Sequence, residues 1–275
     1  MTVNEQLMNM YEPHFNELIK HLEDDGVKDK VQAPFLLGID RKDENGNTIA
    51  NGDWYTKADI KVMFFGRETS MWGWRNPSAS DDYVEGYEDF YGINYRENNS
   101  GVFFLVDSDS KLYKRPFFSV GLNGLMSIIV EKLENNFSGK RAAFLWNDIS
   151  KLTSTDGKAV DPTTHELEKK YFHVIPSEIR ILKPDIIVFL TGFGKNSAKY
   201  DGYIKENFNE TEGFPIHGKE ALSGIDITDV EKLDIQGIHL AYKTHHPQGM
   251  DGRKLSDQYK AIANDIEAHF DEIIK

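Results

Sequence analysis

Four short apolar blocks, at 60–65, 142–146, 185–190 and 237–243, punctuate this chain, and each runs straight into polar or loop-forming residues. Blocks of this length that are apolar on both faces predict strands buried on both sides of a sheet. Between them the hydrophobic period changes to that of helices. Leu7, Tyr11, Phe15, Leu18 and Leu22 recur at helical spacing over 5–24, with Pro13 starting or kinking that helix. Phe118, Leu122, Leu125, Ile129 and Leu133 predict a helix opened by Pro116, and Leu167, Tyr171, Ile175, Ile179 and Leu182 another, interrupted at Pro176 and ended by Pro184. A polar helix is expected from about residue 196. Leu255, Tyr259, Ile262, Ile266, Phe270 and Ile273 predict an amphipathic helix near the C-terminus. Strands separated by helices predict an α/β fold with a parallel sheet covered by helices.

Three stretches break the pattern. Residues 40–53 are rich in Asn, Asp and Gly and predict a loop or hairpin. Residues 208–236 read as irregular. From 71 to 115 the chain is aromatic, acidic and glycine-rich without a period, too long for a plain loop, which predicts a lid or insertion with structure of its own. The 275 residues then read as one domain, with an N-terminal helical extension over about 1–57 and the lid over about 71–115.

Composition narrows the function classes. The 39% hydrophobic and 12% aromatic share suffices for a packed core, and no apolar stretch is long enough to cross a bilayer. The first residues lack the basic start and apolar run of a signal peptide, and the chain has no cysteine, which excludes disulfides and thiolate chemistry. A cytoplasmic protein is expected. A net charge of −13 opposes contact with a polyanion. Basic residues are nonetheless clustered: Lys111, Lys114 and Arg115 form a knot, while Arg67, Arg75, Lys151, Lys243, Arg253 and Lys254 flank the polar segments that follow the strands. They are either ordinary surface residues or a positive rim on an acidic body.

In an open parallel sheet, ligands bind past the carboxyl ends of the strands. That rule would gather Glu68, Asn147, Gly192 and His246: a carboxylate, an amide and an imidazole at a backbone turn. Each has a plainer reading. Glu68 could cap a helix or pair with Arg67 or Arg75, Asn147 could cap the turn after its strand, and His246 could be a turn residue before Pro247. His245, its neighbour in an extended segment, should point the opposite way and reads as structural. Gly192-Phe193-Gly194-Lys195-Asn196-Ser197 lacks the spacing of a nucleoside-triphosphate loop, and no histidine or acid has recognisable metal-ligand spacing. No metal or cofactor is expected.

Three of these segments together resemble the motifs of the uracil-DNA glycosylase superfamily. Gly66-Arg67-Glu68-Thr69-Ser70 is similar to that family's first motif, Phe144-Leu145-Trp146-Asn147 to the strand whose asparagine reads uracil, and His246-Pro247-Gln248 to its last motif. The resemblance implies a three-layer α/β/α sandwich with a four-stranded parallel sheet, ordered 142–146, 60–65, 185–190, 238–243. It implies hydrolysis of the N-glycosidic bond of a deaminated or modified base in DNA. Glu68 would orient water and face the sugar cation, Asn147 would read the base edge, and His246 would donate to the departing base. Gly66, Ser70 and Trp72 would line the base, and Arg67, Thr69, Gln248, Gly249, Met250 and Arg253 would contact DNA. The sequence departs from the family at Thr69 (proline there), at Ser70 (a tyrosine that excludes 5-substituted bases), at Gln248 (a serine) and at Met250 (a leucine wedge). Two other readings stay open: a binding protein without repair activity, and a hydrolase of free nucleotides or nucleosides.

Overall fold

The computed structural model describes residues 1–42, 48–50, 52–68, 93–98, 101–106, 123–137, 139–247 and 252–274. In chain order the helices are α1 (Val3–Asp24), α2 (Asp53–Thr56), α3 (Asn123–Asn136), α4 (Pro162–Tyr171), α5 (Ile175–Leu182), α6 (Ala198–Asn207), α7 (Gly252–Ala268) and α8 (Phe270–Ile273). The strands are β1 (Arg41–Lys42), β2 (Thr48–Ala50), β3 (Ile60–Gly66), β4 (Ile93–Asn98), β5 (Gly101–Val106), β6 (Ala142–Asp148), β7 (Ile186–Phe189), β8 (Ile216–Ala221), β9 (Val230–Ile235) and β10 (Leu240–Thr244). The chain divides into two compact units, Met1–Gly52, Arg67–Phe90 and Asn147–Lys183 in the first, Asp53–Gly66, Tyr91–Trp146 and Pro184–Lys275 in the second. Among the described residues no helix is long and apolar enough to cross a membrane.

The first unit is built on α1. Thr2 and Glu5 close a reciprocal capping box at its start, and the helix runs on through Pro13. Its predicted stripe, Leu7, Tyr11, Phe15, Leu18 and Leu22, is buried throughout. The stripe packs on α4 and α5, with Phe172 stacked on Tyr11 at 6.3 Å and edge-on to Phe15 at 6.5 Å. The predicted break between α4 and α5 is present, and Pro176 lies in the first turn of α5, where a missing N–H costs nothing. A segment after α1 runs alongside the chain that follows β6, through Gln32 N to Thr153 O at 2.7 Å and Phe35 N to Lys151 O at 3.1 Å. The expected loop or hairpin near 40–53 is the antiparallel pair β1–β2.

The second unit carries a mixed sheet, which corrects the expected four-stranded parallel one. Among the described residues it has eight strands in the order β4-β5-β6-β3-β7-β10-β9-β8. β5 and β6, β3 and β7, and β7 and β10 are parallel. β6 and β3 also run together: Ile60 N bonds Arg141 O at their starts, and Ser150 N bonds Arg67 O just past their ends. The central four strands therefore lie in the expected order. Antiparallel hairpins extend the sheet on both sides, β4–β5 from within the expected lid and β8–β9 from within the stretch read as irregular. β8 is an edge strand whose residues beyond half-buried Ile216 are exposed, so no alternation marks it. β10 begins at Leu240 rather than 237, because Gly237 at φ +81° makes the left-handed turn between β9 and β10.

Helices cover both faces of this sheet. Phe65 and Phe189, neighbours in register, meet the ring of Phe208 at the end of α6, at 6.0 and 5.2 Å. One residue back, Phe64 stacks on Phe144 on the other face, where the Tyr242 hydroxyl donates to Asp265 of α7 at 2.6 Å and α3 packs on α7.

Candidate functional site

Gly66 closes β3 and is buried; Arg67 and Glu68 follow it, both half-buried. The bond from Ser150 N to Arg67 O, 3.0 Å, ties this first motif to the segment that follows Asn147. Within the first unit, Arg67 and the segment after Asn147 are thus held together by backbone.

Asn147 itself is fully buried, and its amide belongs to an ionic network. Nδ2 donates to Glu178 Oε2 at 2.9 Å, and Oδ1 accepts from Asp148 N at 2.8 Å and from Lys151 Nζ at 2.5 Å. Lys151 Nζ also donates to Glu178 Oε1 at 2.7 Å and lies 5.8 Å from the centre of the Phe35 ring. The Tyr11 hydroxyl donates to Glu178 Oε1 and accepts from Leu37 N at 3.0 Å. Burial, and next the Glu178 charge, push the Tyr11 hydroxyl well above its ordinary pKa, so it stays a donor. Both lone pairs of the Asn147 oxygen are taken, because an ammonium and an amide N–H can only donate. Reading a pyrimidine edge with donor and acceptor together would require Oδ1 to release one of them.

A serine, a histidine and a glutamate also meet in this unit. Ser150 Oγ is 3.0 Å from Glu168 Oε2, and His165 Nδ1 is 3.6 Å from the same oxygen. The carboxylate stands between the other two, while activating a serine needs the imidazole in the middle. Glu168 also accepts from Lys151 N at 2.5 Å, so the trio reads as a fastening for the turn after β6.

The second unit presents different chemistry past the ends of β7 and β10. Gly192 N bonds Thr244 O at 3.0 Å, joining the two strand ends. Gly192 and Gly194, at φ +83° and +81°, bracket Phe193 in a turn that side-chain-bearing residues rarely adopt. Lys243 Nζ sits 4.4 Å from the centre of the Phe193 ring and pairs with Asp201 at 2.6 Å and Glu231 at 3.9 Å. The His245 ring meets the same phenyl ring at 4.9 Å and 70°, and its Nε2 lies 3.1 Å from Asp229 Oδ1. His246 follows, half-buried, before buried Pro247.

Neither reading of the clustered basic residues, ordinary surface or positive rim, holds at two positions. Lys151 and Lys243 are 1% and 5% exposed, their charges paired with enclosed Glu178 and with the partly exposed Asp201. Thr69, Ser70, Trp72, Gln248, Gly249 and Met250 lie outside the described residues, as do Arg75, Lys111, Lys114 and Arg115. Arg253 is within α7, its side chain outside the description. Sequence reasoning passed over Phe193, Asp229, Tyr11 and Glu178. Only Phe193 had a local signal, an aromatic between two glycines after a strand; the others act through partners distant in sequence.

At the amino end of the parallel strands, a cavity of about 440 Å³ opens beside β8 and β9, lined by Lys219, Glu220, Lys232, Asp234 and His239 among others. Its lysines are paired, Lys219 with Glu231 and Lys232 with Asp265. Among the described residues no group of three or more histidines and acids is arranged to hold a metal. No family model, curated protein or solved structure matches this chain.

Proposed function

We propose that the protein hydrolyses the N-glycosidic bond of a deaminated or modified base in DNA, on a three-layer α/β/α core of the uracil-DNA glycosylase kind. One observation carries this reading. The parallel strands β6, β3, β7 and β10 lie side by side in the order the resemblance implies, and the motif residues stand at or just past the ends of β6, β3 and β10. Carboxyl strand ends are where such sheets bind ligands. Breaking the bond leaves positive charge on the sugar and negative charge on the base. The resemblance would give the first to the Glu68 carboxylate, which would also orient water, and the second to a donor from His246. Asn147 would read the base by opening its contact to Lys151 or to Asp148 N.

The test is single-turnover base release from oligonucleotides carrying uracil, hypoxanthine, a thymine mismatch or a 5-modified pyrimidine. Glu68→Gln keeps shape and removes charge, so it should slow release by about a hundredfold while leaving oligonucleotide binding nearly unchanged. Release of none of these bases by the wild type, or wild-type rates in Glu68→Gln, would sink the proposal.

A second reading, hydrolysis of free nucleosides or nucleotides, is favoured by the two strand-end lysines turned inward on a chain of net charge −13. Phosphate contacts make DNA affinity fall steeply with salt. Turnover of a nucleoside, with no salt-sensitive oligonucleotide binding, would select this second reading.

A further inference from the structure

We infer that His245, held by Asp229, is the imidazole that protonates the departing base, the role the resemblance gives to His246; the inference rests on the N-glycosyl hydrolase reading above. The pair is a built feature. Asp229 O lies 3.1 Å from the hydroxyl of Thr244, the residue just before His245, and that buried hydroxyl is 2.9 Å from Gln258 Oε1 on α7. Asp229 N bonds Asp226 O at 2.9 Å, and Thr228 N and Oγ1 both donate to the Asp226 carboxylate, at 2.8 and 2.7 Å. Carboxylate and imidazole are therefore carried by two cross-linked segments, and Gly192 N to Thr244 O fixes the loop that sets Phe193 against the ring.

A carboxylate can only accept, so Nε2 carries the hydrogen in this pair and Nδ1 is the nitrogen left for a ligand. His245 and Asp229 side chains are 23% and 45% exposed, which keeps the imidazole within reach of solvent and ligand. An ion pair this exposed contributes little to stability, whereas fixing which ring nitrogen does chemistry is what a carboxylate does for a catalytic histidine. Among the described residues the neighbouring cation Lys243 is engaged by Asp201 and Glu231. Phe193 packs edge-on against the imidazole and holds the Lys243 ammonium over its ring.

In the step, the C1′–N bond breaks with its electron pair going to the base. The Nδ1 proton of the imidazolium moves to the departing base, leaving neutral imidazole beside Asp229. Water adds hydroxide to C1′ and its proton is released to solvent, from which the imidazole is reprotonated. The products are free base and a sugar hydroxyl, with no co-reactant consumed.

Two readouts on the full chain test this. In the first, protein carrying 15N-labelled histidine is titrated with uracil and with hypoxanthine. The His245 ring resonances, assigned by their loss in His245→Gln, should move, and Asp229→Asn should change the ring tautomer and shrink the movement. In the second, single-turnover release from uracil- and hypoxanthine-containing oligonucleotides should fall by about a hundredfold in His245→Ala and recover in part with added imidazole. Asp229→Asn should lower the rate without weakening binding, and Asp229→Glu should restore much of it. If only His246 responds to base, or if His245→Ala and Asp229→Asn release base at the wild-type rate, the inference falls and the hydrolase reading stands. If the wild type releases no base while His245 still responds, the hydrolase reading falls and base contact at His245 stands. Silence in both readouts overturns both.

Discussion

Lys151 and His245 are both basic side chains set against a carboxylate just past the end of a parallel strand, yet their surroundings are opposite. Lys151 and Glu178 are 1% and 0% exposed, and among the described residues Asn147, Tyr11 and Phe35 of their own unit close around them. His245 and Asp229 keep contact with solvent. The physics differs accordingly. Two enclosed charges have lost their hydration, and only their mutual attraction and remaining hydrogen bonds offset that loss, so each depends on the other. An exposed pair costs little to form and contributes little, and it is at liberty to exchange a proton with a ligand. A base set against a carboxylate past a strand end is thus sealed into the architecture in one unit and left open to solvent in the other.

The sharpest way to break this comparison is to remove one charge from each pair. Lys151→Met leaves Glu178 buried without its cation, and should cost about 3–5 kcal/mol in urea unfolding. Adding Glu178→Leu to it removes the stranded charge but leaves the buried Tyr11 hydroxyl and Asn147 Nδ2 without their acceptor, so it should recover only part of that loss. His245→Gln should cost under about 1 kcal/mol. Similar losses for Lys151→Met and His245→Gln would erase the distinction.

The central frame of this contrast was legible in the sequence, and the contrast itself was not. Ile60–Gly66, Ala142–Asp148 and Ile186–Phe189 announce themselves because strands buried on both faces must be apolar throughout, and the helical stripe of α1 because one face meets the core. β8 was not legible because its side chains face solvent and carry no period, and β10 was displaced because Gly237 looks like strand composition until its φ is known. Lys151 read as a surface cation because nothing local says otherwise. Its partners are Glu178, 27 residues on, and, through that carboxylate, Tyr11 on α1. Burial of a charge is a tertiary fact, set by which distant carboxylate arrives. The same holds for His245, whose partner Asp229 lies in a stretch without a pattern.

Two smaller changes grade the comparison. Tyr11→Phe removes the donor to Glu178 and the acceptor for Leu37 N without opening a cavity, so thermal or urea unfolding should show a loss of about 1–3 kcal/mol. Lys243→Met should cost less than Lys151→Met, about 1–2 kcal/mol, because its main partner Asp201 is 42% exposed and regains water. If Lys243→Met proves the more damaging, enclosure of the carboxylate is not what makes Lys151 indispensable.

The smallest effect concerns a carboxylate that bonds no cation among the described residues. Asp185, at the start of β7, accepts from Lys61 N at 2.8 Å, while its own backbone oxygen receives His239 N at 3.1 Å. Burial raises its pKa above the ordinary carboxylate value, only partly offset by Lys61 N and the nearby Lys61 and His239 charges. Beside it the buried Tyr55 hydroxyl has no hydrogen-bond partner among the described residues; burial, and then the Asp185 charge, push that hydroxyl well above its usual range. A raised pKa in the folded state means the folded protein binds this proton more tightly. Its contribution to stability is therefore fully present below the unfolded pKa of about 3.9 and is lost as pH rises through the folded value. Asp185→Asn keeps an oxygen for Lys61 N and carries no charge at any pH. Its stability relative to wild type should rise as pH climbs from below the unfolded value through the raised folded one and then level, by less than about 1 kcal/mol because the carboxylate is partly solvated. Urea unfolding of both proteins across that range measures the difference. A gap that stays constant with pH would show that the lost hydrogen bond, rather than the buried charge, governs this position.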